Sequence, residues 1–132
     1  EAKPPAFVRD PAFRRVVLEA YDYRCAATAQ RIILPDESVM VQAAHIVPFS
    51  ESGNDDPCNG LALTPDMHWA MDKCVIAPGP DLRWHISGCI DRRFAENEPL
   101  LKLEGKALVL PRERRFIPKK QYLEWRMDNL MK

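Results

Sequence analysis

Apolar and polar positions alternate along the chain in blocks short enough to mark several small elements. Asp10-Pro11 has the chemistry of a helix start, and Phe13, Val16, Val17 and Ala20 then recur at helical spacing. Ile32-Ile33-Leu34 reads as a short strand, the polar stretch 35–38 as a turn and 39–45 as a second strand, which together predict a hairpin. A polar loop over 48–59 gives way to the apolar run Leu61-Ala62-Leu63. Thr64-Pro65-Asp66 then repeats the helix-start chemistry, with a capping hydroxyl, Pro at the first position and an acid in the first turn, so a helix over 67–73 is expected. Cys74-Val75-Ile76 and 82–86 flank the turn Ala77-Pro78-Gly79-Pro80 and predict another hairpin. Two further apolar runs, 100–103 and 107–110, flank a turn at Gly105. Leu123, Met127 and Leu130 recur at i, i+4, i+7 in a terminal helix over 119–131, with Tyr122 and Trp125 beside them. No internal repeat and no linker interrupts the pattern. The expected architecture is α+β, one domain over 1–132, with N- and C-terminal helices flanking hairpins.

Composition narrows the class. The 132 residues suffice for one core, and no stretch approaches the roughly 20 apolar residues of a membrane span. The N-terminus has no signal-peptide pattern and no initiator Met. A cytoplasmic setting without a membrane partner is therefore expected, in a fragment or domain of a longer protein. Net charge is zero, but residues 1–90 carry 8 Lys/Arg against 12 Asp/Glu and residues 91–132 carry 11 against 7. That asymmetry nominates a basic face, with Arg92, Arg93, Arg112, Arg114, Arg115, Lys119 and Lys120 ahead of Arg14 and Arg15. The four cysteines, Cys25, Cys58, Cys74 and Cys89, form no CxxC pair and read as buried free thiols.

The chemistry concentrates between residues 43 and 74. His45 ends a predicted strand, Asn59 sits in the polar loop, and His68 and Asp72 stand i, i+4 on one helix face. An imidazole and a carboxylate on one face can share a divalent cation and leave positions for water and phosphate. A second imidazole arriving from a strand has the type needed to activate water near neutral pH. Together these are the parts of a metal-assisted phosphodiester hydrolysis. Asn59, able to donate and accept at once, is expected to hold the loop to backbone rather than touch the metal. Gly60 after it is expected to make an unusual turn. His85, between Trp84 and Ile86, reads as structural.

Three blocks, Ala43-Ala44-His45-Ile46-Val47-Pro48, Cys58-Asn59-Gly60-Leu61-Ala62-Leu63 and His68-Trp69-Ala70-Met71-Asp72, resemble the HNH (ββα-metal) endonucleases. The likeness is to the bacterial branch found in restriction and anti-phage effector proteins. Tyr23-Arg24-Cys25 is similar to that branch's lead-in, the motif core spans about 21–76, and the segment from Gly105-Lys106 to Trp125 is similar to its tail. The resemblance implies a ββα-metal core elaborated by an extra hairpin and the flanking helices. It implies a DNA endonuclease with His45 as general base, Asn59 orienting base or loop, and His68 as a metal ligand joined by Asp72. The implied cofactor is one divalent cation, Mg²⁺ or Mn²⁺, with Zn²⁺ or Ni²⁺ as substitutes. Ala44 stands where many relatives have a ligating Asp or His, which implies weak metal binding that tightens on substrate phosphate. Thr28 stands where a zinc knuckle starting at Cys25 needs sulfur, so no structural zinc is expected. The implied partner is DNA, with RNA on the same core and a catalytically dead nucleic-acid-binding module as the rival readings. A double-strand cut by one such site favours a homodimer or repeated nicking, and the branch commonly joins this domain to a sensor of modified DNA or a signalling nucleotide.

Overall fold

The computed structural model describes residues 8–131. Helix α1 (Ala12–Ala20) buries Phe13, Val17 and Leu18, and the Asp10 carboxylate accepts the Ala12 N–H at 2.9 Å. Strand β1 (Gln42–His45) is followed by the helical turn α2 (Phe49–Ser52), a 3-10 turn (Pro57–Asn59) and strand β2 (Gly60–Leu63). Helix α3 (Pro65–Asp72) comes next, then strands β3 (Ile76–Pro78) and β4 (Trp84–Ile86). A short helix α4 (Glu98–Leu101) and the terminal helix α5 (Lys120–Asn129) complete the chain. The architecture is α+β, with two separate two-stranded antiparallel sheets, β1–β2 and β3–β4.

The first sheet differs from the hairpin that the sequence pattern predicts. Ile33 meets Val39 only in an isolated bridge, while β1 pairs with β2 in the register Gln42↔Leu63 to His45↔Gly60. Ile32, Ile33 and Leu34 are exposed, whereas all four residues of β2 are buried. The strand that can bury its side chains wins the pairing, because β2 packs against both α1 and α3. The β3–β4 hairpin forms, but Ala77 and Pro78, expected in the turn, belong to β3 and pair with His85 and Trp84. The turn at Gly105 joins no second pair of strands: its upstream arm is helical, and only Ala107 bridges, to Arg83.

Gly60 also corrects an expectation. Its backbone is extended (φ −130°, ψ 152°), so no unusual turn is made there. Glycine is needed for contact instead. A Cβ at Gly60 would lie 2.6 Å from Val17 Cγ2 and 2.9 Å from Phe13 Cζ, both side chains of α1. The missing side chain lets α1 close on the sheet beside His45.

Thr64 departs from its expected role as well. Its side chain makes no capping bond to α3 and is buried, with Oγ1 3.6 Å from Cys25 Sγ. Pro65 in the first turn still fits, since a missing N–H costs nothing there. The helix stops by a left-handed residue: Cys74 has φ 61°, with Cys74 N–H donating to Met71 O and Val75 N–H to Ala70 O. This reversal sends the chain into β3 immediately after Asp72. Of the four free cysteines Cys25 and Cys58 are buried, Cys74 is half-buried and Cys89 is exposed, so burial holds for two.

Candidate active site

One cleft of about 710 Å³ runs between the start of α1, the end of β1, the polar loop, the C-terminal half of α3 and α5. His45, His68 and Asp72 all line it. Asn59 does not; it lies beneath, fully buried.

His45 is the last residue of β1, and its ring is held on three sides. Phe13 stacks on it with centroids 4.1 Å apart and planes 3° from parallel, and Phe49 approaches at 5.5 Å. Its Nε2 lies 2.7 Å from Asp55 Oδ1, both side chains being 12 % exposed. Asp55 is in turn held by the Asp10 N–H at the head of α1. A carboxylate on Nε2 fixes the proton there and leaves the lone pair of the neutral ring on Nδ1.

Asn59 uses both ends of its amide. Oδ1 accepts the Val47 N–H at 2.9 Å, while Nδ2 donates to Val47 O at 3.1 Å and Asn54 O at 3.0 Å. All these partners are backbone groups between His45 and Asn59, so the amide closes the polar loop onto the chain just beyond His45. Next to it Asp56 caps the 3-10 turn, accepting from Cys58 N–H at 3.1 Å and Cys58 Sγ at 2.9 Å. The thiol bond holds the Asp56 carboxyl below its ordinary value, and burial, reinforced by that bond, pushes the Cys58 thiol up to about 11.

On α3, His68 Nδ1 lies 2.7 Å from Gln42 Oε1, which accepts its proton and leaves Nε2 with the lone pair. That Nε2 is 3.6 Å from Asp72 Oδ2. Two bonds of roughly 2.0–2.2 Å meeting near the tetrahedral angle span such a distance, so the pair fits one cation. Among the described residues no group of three or more His, Cys, Asp and Glu side chains gathers as a metal cage. The donor set is thus one nitrogen and one oxygen on the cleft wall.

Of the nominated cations only Arg14, one of the two placed last, faces this cleft. Arg9, Arg14 and Arg126 line it. Arg92 pairs with Glu104, Arg93 with Asp91, Arg112 with Asp22, Arg115 with Glu113 and Lys120 with Glu124, all away from the cleft. Sequence reasoning also missed Asp55, Gln42 and Arg126. Gln42 had a signal, since it stands one residue outside the first motif block. Asp55 is one acid among many polar loop residues, and nothing local distinguishes it.

Antiparallel β1–β2 packed by α3, with an imidazole on strand and on helix around one cleft, is the arrangement expected of a ββα-metal fold. Residues 25–77 match the family model described as HNH endonuclease. Among solved structures it is similar to a "Modification dependent TagI restriction endonuclease", with a TM-score of 0.66 and 21% sequence identity over 93% of this chain. The match spans 39% of that protein's length. No curated protein sequence matches the chain.

Proposed function

We propose that this chain is the cleaving domain of a divalent-metal-dependent DNA endonuclease, with His45 as general base and His68 and Asp72 as the metal-holding pair. The observation that carries the reading is that both halves of the chemistry open onto one cleft, each imidazole with its second nitrogen already occupied. Asp55 holds Nε2–H of His45, so Nδ1 accepts the proton of the attacking water. Asn59 keeps the loop closed behind that ring. Gln42 orients His68 so that Nε2 faces Asp72. A cation bound there, Mg²⁺ or Mn²⁺, would supply positive charge against the negative charge that develops on the phosphate and the leaving 3′ oxygen. The expected product carries a 5′ phosphate. Arg9 and Arg14 on the cleft wall supply backbone attraction without base reading.

The similar fold of a modification-dependent restriction endonuclease supports a role in restriction or phage defence; a cytoplasmic setting and a joined recognition domain are part of the same proposal. Metal-dependent nicking of a supercoiled plasmid, wild type beside His45→Ala, tests the activity. A folded wild-type protein that cuts RNA and leaves the plasmid intact would move the substrate to RNA. One that cuts neither with Mg²⁺ or Mn²⁺ would leave a binding module.

A further inference from the structure

Helix α5 lies outside the matched family segment, yet one of its side chains reaches into the centre of the site. Arg126 is 4 % exposed. Its Nη1 donates to Ile46 O at 2.9 Å and its Nη2 to Met71 O at 2.6 Å. Ile46 directly follows His45, and Met71 directly precedes Asp72. A single planar guanidinium therefore joins the backbone beside the candidate base to the backbone beside a candidate metal ligand.

The choice of residue is costly for a purely structural position. Burial lowers the Arg126 pKa, and its two bonded partners are neutral carbonyls. An apolar side chain of similar volume would avoid the cost of burying the charge, though it would leave both carbonyls without this donor. What an apolar residue cannot do is bond two carbonyls on different elements at once with a rigid fork. Met71 O also belongs to the last turn of α3, where a cation is favoured, and there it accepts the Cys74 N–H as well as the guanidinium.

We infer that Arg126 is a positioning residue that sets the separation of the His45 ring from the His68–Asp72 pair. This rests on the proposed roles of those three side chains. His68 and Asp72 share one helix, so their spacing to each other does not depend on Arg126; the spacing of that pair to β1 does. The nuclease site is on this reading completed by a helix that the family segment does not include.

The test compares plasmid nicking, Mn²⁺ affinity by calorimetry and thermal unfolding for wild type, Arg126→Met, Arg126→Lys and Arg126→Ala. Arg126→Met is expected to lower kcat by about 10- to 10²-fold, the scale of an ångström misplacement of reacting groups, with KM for DNA and Mn²⁺ affinity within roughly 3-fold of wild type. Arg126→Lys keeps the charge but not the fork, and should recover less than half of the lost kcat on a logarithmic scale. Millimolar guanidinium should raise kcat of Arg126→Ala and leave wild type unchanged, which decides the matter even if Arg126→Met folds poorly. In a His45→Ala background Arg126→Met should cost little more, because its effect passes through the base. Unchanged kcat in a folded Arg126→Met protein overturns the inference while the roles of the other residues stand. A rise in KM that steepens with salt at unchanged kcat overturns it in favour of a phosphate contact. Full activity of His45→Ala sinks the underlying reading instead, and is told apart by that variant alone.

Discussion

Two of the three His–Asp pairs among the described residues meet at hydrogen-bonding distance. His45 and Asp55 meet at 2.7 Å, and His85 and Asp81 at 2.9 Å, so the contacts are nearly the same. Their surroundings are not. The first pair is 12 % exposed on both sides, stacked under Phe13, and opens onto the cleft that His68 and Asp72 also line. The second is 37 % and 48 % exposed and spans the turn between β3 and β4, where Asp81 also accepts the Arg83 N–H. A Cβ on Gly79 would lie 2.4 Å from His85 Nε2, so this ring is packed against its own turn. Imidazole and carboxylate at bonding distance can therefore serve as a reaction site or as a turn clasp. What separates the two is whether the free nitrogen faces a shared cleft with further donors.

Removing the first ring tests this most severely. His45→Ala is expected to lower plasmid cleavage by at least about 10²-fold with the fold intact, the usual scale for a general base. Near-wild-type cutting by a folded His45→Ala protein would erase the distinction between the pairs. The partner carboxylate comes next. Asp55→Asn keeps the shape but its amide NH2 can donate to Nε2 and move the ring proton to Nδ1, so kcat should drop by roughly 10-fold or more while DNA affinity changes little. A fall in affinity at constant kcat would make Asp55 a loop residue rather than the orienter of the ring.

A smaller effect is expected in stability alone from Asp56, whose carboxylate caps the 3-10 turn below the site. Asp56→Ala should cost about 1 kcal/mol, or some 3–4 °C in Tm, at pH 7. Because the folded carboxyl titrates below its ordinary value, its contribution is full above the unfolded pKa and is lost as pH falls through the folded one. The gap between wild type and Asp56→Ala in thermal melts should thus close below about pH 4; a gap that persists there would assign the effect to packing. The smallest change is expected at the second pair, where His85→Ala should leave kcat within about 2-fold and remove less than about 1 kcal/mol, as exposed pairs do. A large loss of cleavage from that variant would mean the β3–β4 turn takes part in the reaction.

How much of this could be read without coordinates differs from residue to residue. The i, i+4 relation of His68 and Asp72 follows from helix geometry alone, so their shared face is local information. His45 at a strand end and the β3–β4 hairpin are equally local, being set by a short apolar run and a Pro-Gly turn. The partner of β1 is not local. Residues 32–34 are nearer in sequence and as apolar as β2, and only the burial of β2 against α1 and α3 decides between them. Asp55 and Arg126 were illegible for the same reason. An acid in a polar loop and an arginine on a terminal helix look like solvated surface until the fold brings α1 and α5 against the site. Sequence by itself determined which chemical groups are present and which share a helix face, because those follow from periods of a few residues. Tertiary structure alone decided which nitrogen each ring keeps free and what joins the backbone beside His45 to the backbone beside Asp72, because those depend on hydrogen bonds from partners 10 to 80 residues away.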